Sequence, residues 1–134
     1  MAIKTMREKL YGELCASLKN ISGVKFYRGN VAPQKIGDIP IIAFFDGEVQ
    51  EMEVALSPLR YHYRLLAELN CQVAHGDDEA RIQNLDALLL KISPHLLDWQ
   101  VGDIAFEDDY QDGVAVRTAI LTITTNYWAT SPIS

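Results

Sequence analysis

Residues 60–80, RYHYRLLAELNCQVAHGDDEA, combine side-chain types that bind metals or transfer protons. The stretch holds His62, Cys71 and His75, and the three acids of 77–79 follow. Cys71 and His75 are four residues apart, the spacing at which two side chains on a helix lie close enough to bind one zinc ion. This stretch is therefore a candidate metal or catalytic site if it is helical.

The hydrophobic pattern of the same stretch predicts a β-strand instead. All seven odd positions from 61 to 73 are apolar or aromatic, and six of the seven even positions from 60 to 72 are polar. Such a period of two indicates a strand with one buried face. His62 and His75 then point to opposite faces, and Cys71 lies about 13 Å from His75 along the strand. We therefore expect a core position for Cys71, a strand end at His75 and no metal site.

A helix is expected directly after this strand, over residues 77–93. Gly76 interrupts the strand, Asp77 or Asp78 caps the helix, and the acids of its first turn suit the helix dipole. The expected buried stripe consists of Ile82, Leu85, Leu88, Leu89, Ile92 and Leu96. Ser93-Pro94 ends the helix, so His95 is predicted to face solvent.

The remaining elements predict one α+β domain spanning residues 1–134. The pattern indicates a helix over 3–21, strands over 24–28, 40–46 and 60–75, and a β-hairpin over 103–127. The expected apolar stripe of the first helix consists of Ile3, Met6, Leu10, Leu14, Leu18 and Ile21. Asp46-Gly47 is a turn signal, and residues 48–57 form either a hairpin arm or a mobile flap. The expected fold has two layers, a mostly antiparallel mixed sheet with two helices on one face.

The acidic segment EDDYQDG, 107–113, resembles a calcium-binding loop only superficially. A loop starting at Asp108 needs an oxygen ligand at position 110 and a glutamate at 119, which hold Tyr110 and Ala119. We interpret the segment as an acidic hairpin tip. Asp108, Asp109 and Asp112 are candidates for electrostatic contact with a neighbouring subunit.

Charge and composition narrow the range of functions. Residues 1–70 carry nine Lys/Arg against eight Asp/Glu, whereas residues 71–134 carry three against ten. The net −7 of the second half disfavours phosphate binding. The two cysteines form no disulfide framework, and neither a signal peptide nor a membrane span is evident. These features predict a cytosolic location and no cofactor.

The polar face of the predicted strand 60–75 is the main candidate for a contact surface. Arg60, His62, Arg64 and Glu68 recur along it at even positions. If both helices cover the other face, this one meets either solvent or another subunit. A broad face of mixed charge suits a symmetric ring or dimer.

The order of these elements resembles the tail terminator proteins of long-tailed phages, of the lambda minor tail protein U type. The resemblance lies in the first helix TMREKLYGELCASLKNISGVKFY, the apolar strand DIPIIAFF and the alternating strand RYHYRLLAELNCQVAH. It continues in the acidic helix start DDEARIQNLDALLLKISPHL and the final hairpin IAFEDDYQDGVAVRTAILTITTNY. It covers nearly the whole chain, although the segment EVQEMEVALSP has no counterpart in the pattern.

The resemblance implies a structural role without catalytic residues. Proteins of this family form hexameric rings on the end of the tail tube, stop the addition of tube subunits and provide the surface that joins the head. The implied partners are further copies of the chain, the tail tube protein and a head-completion protein, with DNA passing through unbound. The implied location is the virion tail, and the host cytoplasm during assembly.

The sequence leaves two alternative functions open. The first is a head-completion or neck protein of a phage or prophage. The second is a small metabolic or ligand-binding domain, for which His62, Arg64 and Glu68 would have to line a pocket.

Overall fold

The computed structural model describes residues 5–29, 40–56, 59–111 and 113–130. Their helices are α1 (Met6–Lys19), α2 (Asp78–Ile92) and a short 3-10 helix (Ser93–Leu96). Their strands are β1 (Lys25–Arg28), β2 (Ile41–Leu56), β3 (Leu59–Ala74), β4 (Gln100–Gln111) and β5 (Val114–Ala129). Within these ranges, both α-helices fall short of the length and apolar character that a bilayer crossing demands.

The described strands form one mixed sheet in the order β1-β2-β3-β5-β4. β1 runs parallel to β2, and the other neighbouring pairs are antiparallel. The buried side chains of both helices share one core with β3 and β5. The predicted α+β fold, with a mostly antiparallel sheet and two helices on one face, is therefore confirmed.

Strand β3 has the two faces that its alternation predicts. Its odd positions from 63 to 73 are all buried in the core. Cys71 is completely buried at the centre of the sheet, paired with Ile42 on β2 and Ala119 on β5. His75 follows the last residue of β3 with a φ of 70°, so the strand ends where it was expected to end.

Helix α1 is shorter than the predicted 3–21, and its buried residues match the predicted stripe only in part. Thr5 caps it by accepting a hydrogen bond from the Glu8 backbone N–H at 3.1 Å. Its core residues are Tyr11, Leu14, Cys15 and Leu18. Met6, expected in the stripe, is exposed, and Ile3 lies outside the described residues. The contact face therefore keeps Leu14 and Leu18 of the predicted stripe and adds Tyr11 and Cys15.

Helix α2 confirms the predicted cap but not the whole predicted stripe. The Asp77 carboxylate accepts a hydrogen bond from the Ala80 N–H at 2.7 Å. Leu85, Leu88 and Ile92 are buried as predicted. Ile82 is exposed, and Arg81 is buried in the first turn instead. Arg81 tolerates burial because its guanidinium donates to the Gly76 carbonyl and to the Asp78 carboxylate.

The predicted turn at Asp46-Gly47 is wrong, because β2 continues through it to Leu56. The pairing of β2 with β3 shifts register between Asp46 and Val49 and again between Glu51 and Glu53. Gly47 lies at the first bulge, where a β-carbon would be 2.5 Å from the Leu66 carbonyl oxygen. Residues 48–56 are therefore a hairpin arm paired with β3, one of the two forms expected for 48–57.

The final hairpin is longer than the predicted 103–127, and its first strand is uncovered. Every described residue of β4 is exposed. Five strands about 4.8 Å apart make a sheet about 24 Å wide, whereas two helices about 10 Å in diameter cover about 20 Å. Helix α2 packs on β3 and β5, so β4 remains as an open edge of the sheet.

Candidate functional site

The predicted contact residues of β3 lie on the sheet face opposite the helices, here called the open face. Two of them meet Trp128 of β5, which is directly opposite His62 in the pairing. The His62 ring stacks on Trp128 with 4.7 Å between centroids, and the Arg60 guanidinium lies 4.8 Å from the same ring. This is a cation–aromatic cluster, an arrangement common at contact surfaces.

Arg64 and Glu68 lie on the same face but further along the strand. Arg64 is opposite Asn126, and Glu68 is opposite Thr122. The best-formed pockets of the described residues are lined by other side chains than His62, Arg64 and Glu68. No group of three or more His, Cys, Asp or Glu side chains converges on a metal-sized site within the described ranges. The open face thus offers a surface rather than a cavity.

The acidic hairpin residues do not form one surface. Asp108 pairs with Arg117 in the ladder, and its carboxylate accepts a hydrogen bond from the Arg117 guanidinium at 2.8 Å. Arg117 also lies 5.2 Å from the Phe106 ring, on the helix side of the sheet. Asp109 is the next residue along β4 and therefore points to the open face. Asp112 lies outside the described residues.

The prediction that His95 faces solvent is wrong. Its Nδ1 is hydrogen-bonded to the Ser17 Oγ of α1, and the side chain is half-buried between the two helical segments. A serine beside a histidine is the beginning of a nucleophilic site, which also needs a group that orients the base. Ser17 and His95 share a small pocket of about 150 Å³ with Glu13 and Asp98. The hydrogen bond between them links α1 to the Ser93–Leu96 turn.

An apolar groove of about 620 Å³ lies between α2 and the uncovered strand β4. Its lining, here called the edge groove, consists of Asp86, Leu89, Leu90, Ile92, Ser93, Leu96, Leu97, Val101, Ile104 and Leu121. Leu97 is 85% exposed and Leu90 is 75% exposed, although both are aliphatic. Exposed apolar surface of this kind marks a binding or subunit contact site.

A second exposed apolar surface lies at the end of the β2–β3 arm. Leu56 and Leu59 face each other across the hairpin end and are 82% and 49% exposed. Strand β5 reaches only Ala129, opposite Tyr61, so the described arm is two-stranded beyond that point. Residues 57 and 58, between these two leucines, lie outside the described residues.

Both cysteines are shielded from chemistry at neutral pH. Burial raises the pKa of the Cys71 thiol to about 12 and that of Cys15 to about 11. Only the thiolate is nucleophilic, so a disulfide reagent such as 5,5′-dithiobis(2-nitrobenzoate) should label neither thiol in the folded chain at pH 8. Both should react in full once urea unfolds the protein.

The same pKa shifts predict a loss of stability in alkali. An unfolded thiol has a pKa of about 8.5, so the unfolded state releases its protons first as the pH rises. The free energy of unfolding should therefore fall from about pH 8.5 towards the folded pKa values. Urea midpoints at pH 7 and pH 10 would measure the fall, and Cys71→Ala should reduce it. An equal fall in Cys71→Ala would contradict the assignment.

No protein-family model matches the sequence, and no curated protein matches it.

Proposed function

We propose that this chain is a structural subunit of a phage or prophage tail, a tail terminator that assembles as a ring on the end of the tail tube. The observation that carries the proposal is the edge groove, an apolar cavity left open along an uncovered strand. Apolar surface is costly to leave in water, so a partner chain that covers it gains free energy.

The order of helices and strands, which resembles that of tail terminator proteins, supports the same assignment. The α+β core carries a long hairpin arm and an exposed edge strand, and both are suited to contacts between subunits. The cation–aromatic cluster of Arg60, His62 and Trp128 adds a third contact surface, on the open face. The chain works through these surfaces, and we assign it no catalytic step.

The charge distribution suits a ring through which DNA passes. Residues 71–134 carry a net −7, and the described β4 residues include Asp103, Glu107, Asp108 and Asp109, all exposed. Carboxylates repel phosphate and do not displace its counterions. A lumen lined by this part of the chain lets DNA slide without holding it.

Electron microscopy of the purified protein, combined with light scattering, tests the proposal. We expect rings of uniform diameter, and a mass that is a multiple of the 15.0 kDa chain. Added to assembling tube protein, the chain should shorten the tubes and cap their ends. A protein that stays monomeric and leaves tube length unchanged would contradict the proposed tail terminator function. Binding to portal-side proteins with no effect on tubes would assign the chain to the neck instead.

The volume of the edge groove also favours a second candidate, the binding of a small apolar ligand. About 620 Å³ is within the range of small-molecule sites, and leucine, isoleucine and valine dominate its lining. Asp86 and Ser93 are the polar groups of that lining. A thermal-shift screen with fatty acids and acyl compounds tests this function. A melting temperature that rises with ligand concentration, and fails to rise in Leu97→Asp, would favour it over assembly.

A further inference from the structure

We propose that the uncovered edge of β4 pairs with an extended segment of a partner protein, in which basic residues alternate with apolar ones. The segment adds a strand to the sheet beside β4. Its apolar side chains close the outer side of the edge groove, and its basic side chains lie beside Glu107 and Asp109. The inference rests on the proposed function, in which the edge groove is a protein contact site, and it names the kind of chain that binds there.

The direction of the β4 backbone is the first observation that supports this pairing. The Tyr110 N–H donates a hydrogen bond to the Asp109 carboxylate at 2.7 Å, on the side away from β5. Ala115, opposite Tyr110, turns its carbonyl oxygen the other way, to the His75 N–H at 3.3 Å. Backbone groups alternate in direction along an antiparallel pair, so the N–H and C=O of Phe106, four residues earlier, also point outward. An added strand can form hydrogen bonds with these outward groups.

The helix side of the edge is apolar. Ile104 and Phe106 lie opposite the core residues Leu121 and Ala119, which places their side chains on the helix side. They are 43% and 48% exposed. Side chains of a strand added about 4.8 Å from β4 would stand directly beside them and close the outer side of the edge groove. The segment therefore needs an apolar residue at every second position.

The open-face side of the same edge is acidic. Glu107 and Asp109 alternate with the apolar residues, so they point to the open face. Both are exposed, and neither forms an ion pair with a cation among the described residues. Their neighbours across the ladder, Thr118 and Val116, carry no charge. A lysine or arginine beside each carboxylate would stabilise the pairing. Two added cations would leave residues 71–134 net negative, as the proposed lumen requires.

A strand fits this edge better than a third helix does. The sheet is about 24 Å wide and the two helices cover about 20 Å, so about 4 Å of the sheet remains. A helix about 10 Å in diameter would overhang the edge by more than half of its width. It would also leave the outward N–H and C=O groups of β4 in water, and it would not reach Glu107 and Asp109 on the other face.

A second copy of this chain is a poorer partner for the same edge. Symmetric pairing of two β4 strands would set their carboxylates side by side, and like charges on adjacent strands destabilise the pair. The strand at the opposite end of the sheet, β1, has only four residues. Its Arg28 already forms ion pairs with Glu8 and Asp46. The charges therefore favour a different protein with a basic strand.

A fluorescent peptide of about eight residues, in which lysine alternates with valine, tests the pairing by anisotropy against the full chain. One control peptide has the same composition, with all its lysines before all its valines. The other has glutamate in place of lysine. Only the alternating lysine peptide places all its charges on one face of a strand and all its valines on the other. We expect it to bind at least about tenfold more tightly than either control. Equal binding of the alternating and block peptides would overturn the inference.

Methylation of the peptide backbone shows whether binding uses the β4 edge. An N-methyl group removes an N–H donor and obstructs pairing on that side. In an added strand, alternate N–H groups face β4 and the others face solvent. A peptide methylated on every valine and one methylated on every lysine should therefore differ, with one losing binding and the other keeping it. If both bind or neither binds, strand addition is wrong.

A charge reversal in β4 locates the contact on the chain. Glu107→Lys should weaken binding of the alternating lysine peptide by about fivefold or more and strengthen binding of the glutamate peptide. Glu13→Lys is the matched control, because Glu13 is exposed on α1 and the net charge changes equally. It should leave both affinities within about twofold of wild type. Both side chains are exposed, so both variants should fold, which circular dichroism verifies. Equal losses in the two variants would reduce the effect to net charge and overturn the inference.

The outcomes also separate this inference from the proposed function. Selective binding of the alternating peptide by a chain that never caps tubes would support the inference and contradict the tail terminator function. Capping of tubes by a chain that binds no peptide would overturn the inference alone. An oligomer that Glu107→Lys dissociates would make a second copy the occupant of the edge, and would likewise overturn the inference alone.

Discussion

Cys71→Asp should prevent the chain from folding stably at neutral pH. Cys71 is completely buried in the central strand, flanked by Ile42 and Ala119. A buried carboxylate without a partner costs on the order of 3–5 kcal/mol or more, and a domain has about 5–15 kcal/mol of stability in total. We therefore expect a loss of most of the free energy of unfolding, measured as the urea midpoint or as the soluble fraction on expression.

The pH dependence of this variant gives an independent check. Burial raises the pKa of a carboxyl group, so the introduced side chain becomes neutral in the folded state as the pH falls. The folded variant therefore binds a proton at a higher pH than the unfolded chain, whose carboxyl has a pKa of about 3.9. The difference in stability from wild type should then be smaller at pH 4 than at pH 7. A defect independent of pH would indicate a steric cause instead.

The control for Cys71→Asp is Asn126→Asp. Asn126 is exposed on the open face, opposite Arg64, so the same carboxylate gains a cation and remains in water. It should change stability by less than about 0.5 kcal/mol. Equal midpoints for Cys71→Asp and Asn126→Asp would show that the assigned faces of the sheet are wrong.

The two faces of β3 could be predicted from the sequence because a period of two needs no knowledge of the partner strands. Each residue of 61–73 is assigned to a face by its own position alone. The same reasoning assigned Cys71 to the core and separated His62 from His75. Local chemistry likewise predicted the Asp77 cap, which depends on residues at most three positions away.

The contact between His62 and Trp128 could not be predicted in the same way. It requires β3 to lie beside β5 in a register that aligns residues 66 positions apart in the sequence. The edge groove depends on an even larger arrangement, namely which strands the two helices leave uncovered. The sequence of β4 contains Val101, Ile104 and Phe106, but apolar residues in a strand are equally typical of a strand that is buried in the core. Only the width of the helical layer decides that they stay exposed.

The contact between Ser17 and His95 could not be predicted from the sequence either, for a different reason. The pattern of helix 77–93 ends at a proline, and a residue beyond a helix end is exposed in most proteins. Here the 3-10 turn carries His95 back towards α1, where the hydroxyl of Ser17 meets it. Neither residue has a local signal for this contact, because it depends on how the two helices pack.

Gly47→Ala should destabilise the protein by about 2–4 kcal/mol, from over-packing and from a lost hydrogen bond. A β-carbon at this position would lie 2.5 Å from the Leu66 carbonyl oxygen and 2.7 Å from its carbon. Both atoms belong to the backbone of β3, which cannot rotate away. The Leu66 carbonyl also accepts a hydrogen bond from the Tyr11 hydroxyl at 2.6 Å, so its displacement would loosen α1 as well.

Gly12→Ala is the matched control, and its effect should have the opposite sign. Gly12 lies within α1, and a β-carbon there would meet nothing within 4 Å. Alanine in a helix interior is more stable than glycine by about 0.5–1 kcal/mol, chiefly because the unfolded chain has less freedom. Urea midpoints of the two variants should therefore lie on opposite sides of the wild-type value. Similar midpoints would contradict the close approach of β2 to β3 at the bulge. They would also contradict a role for Gly47 in letting β2 continue past Asp46.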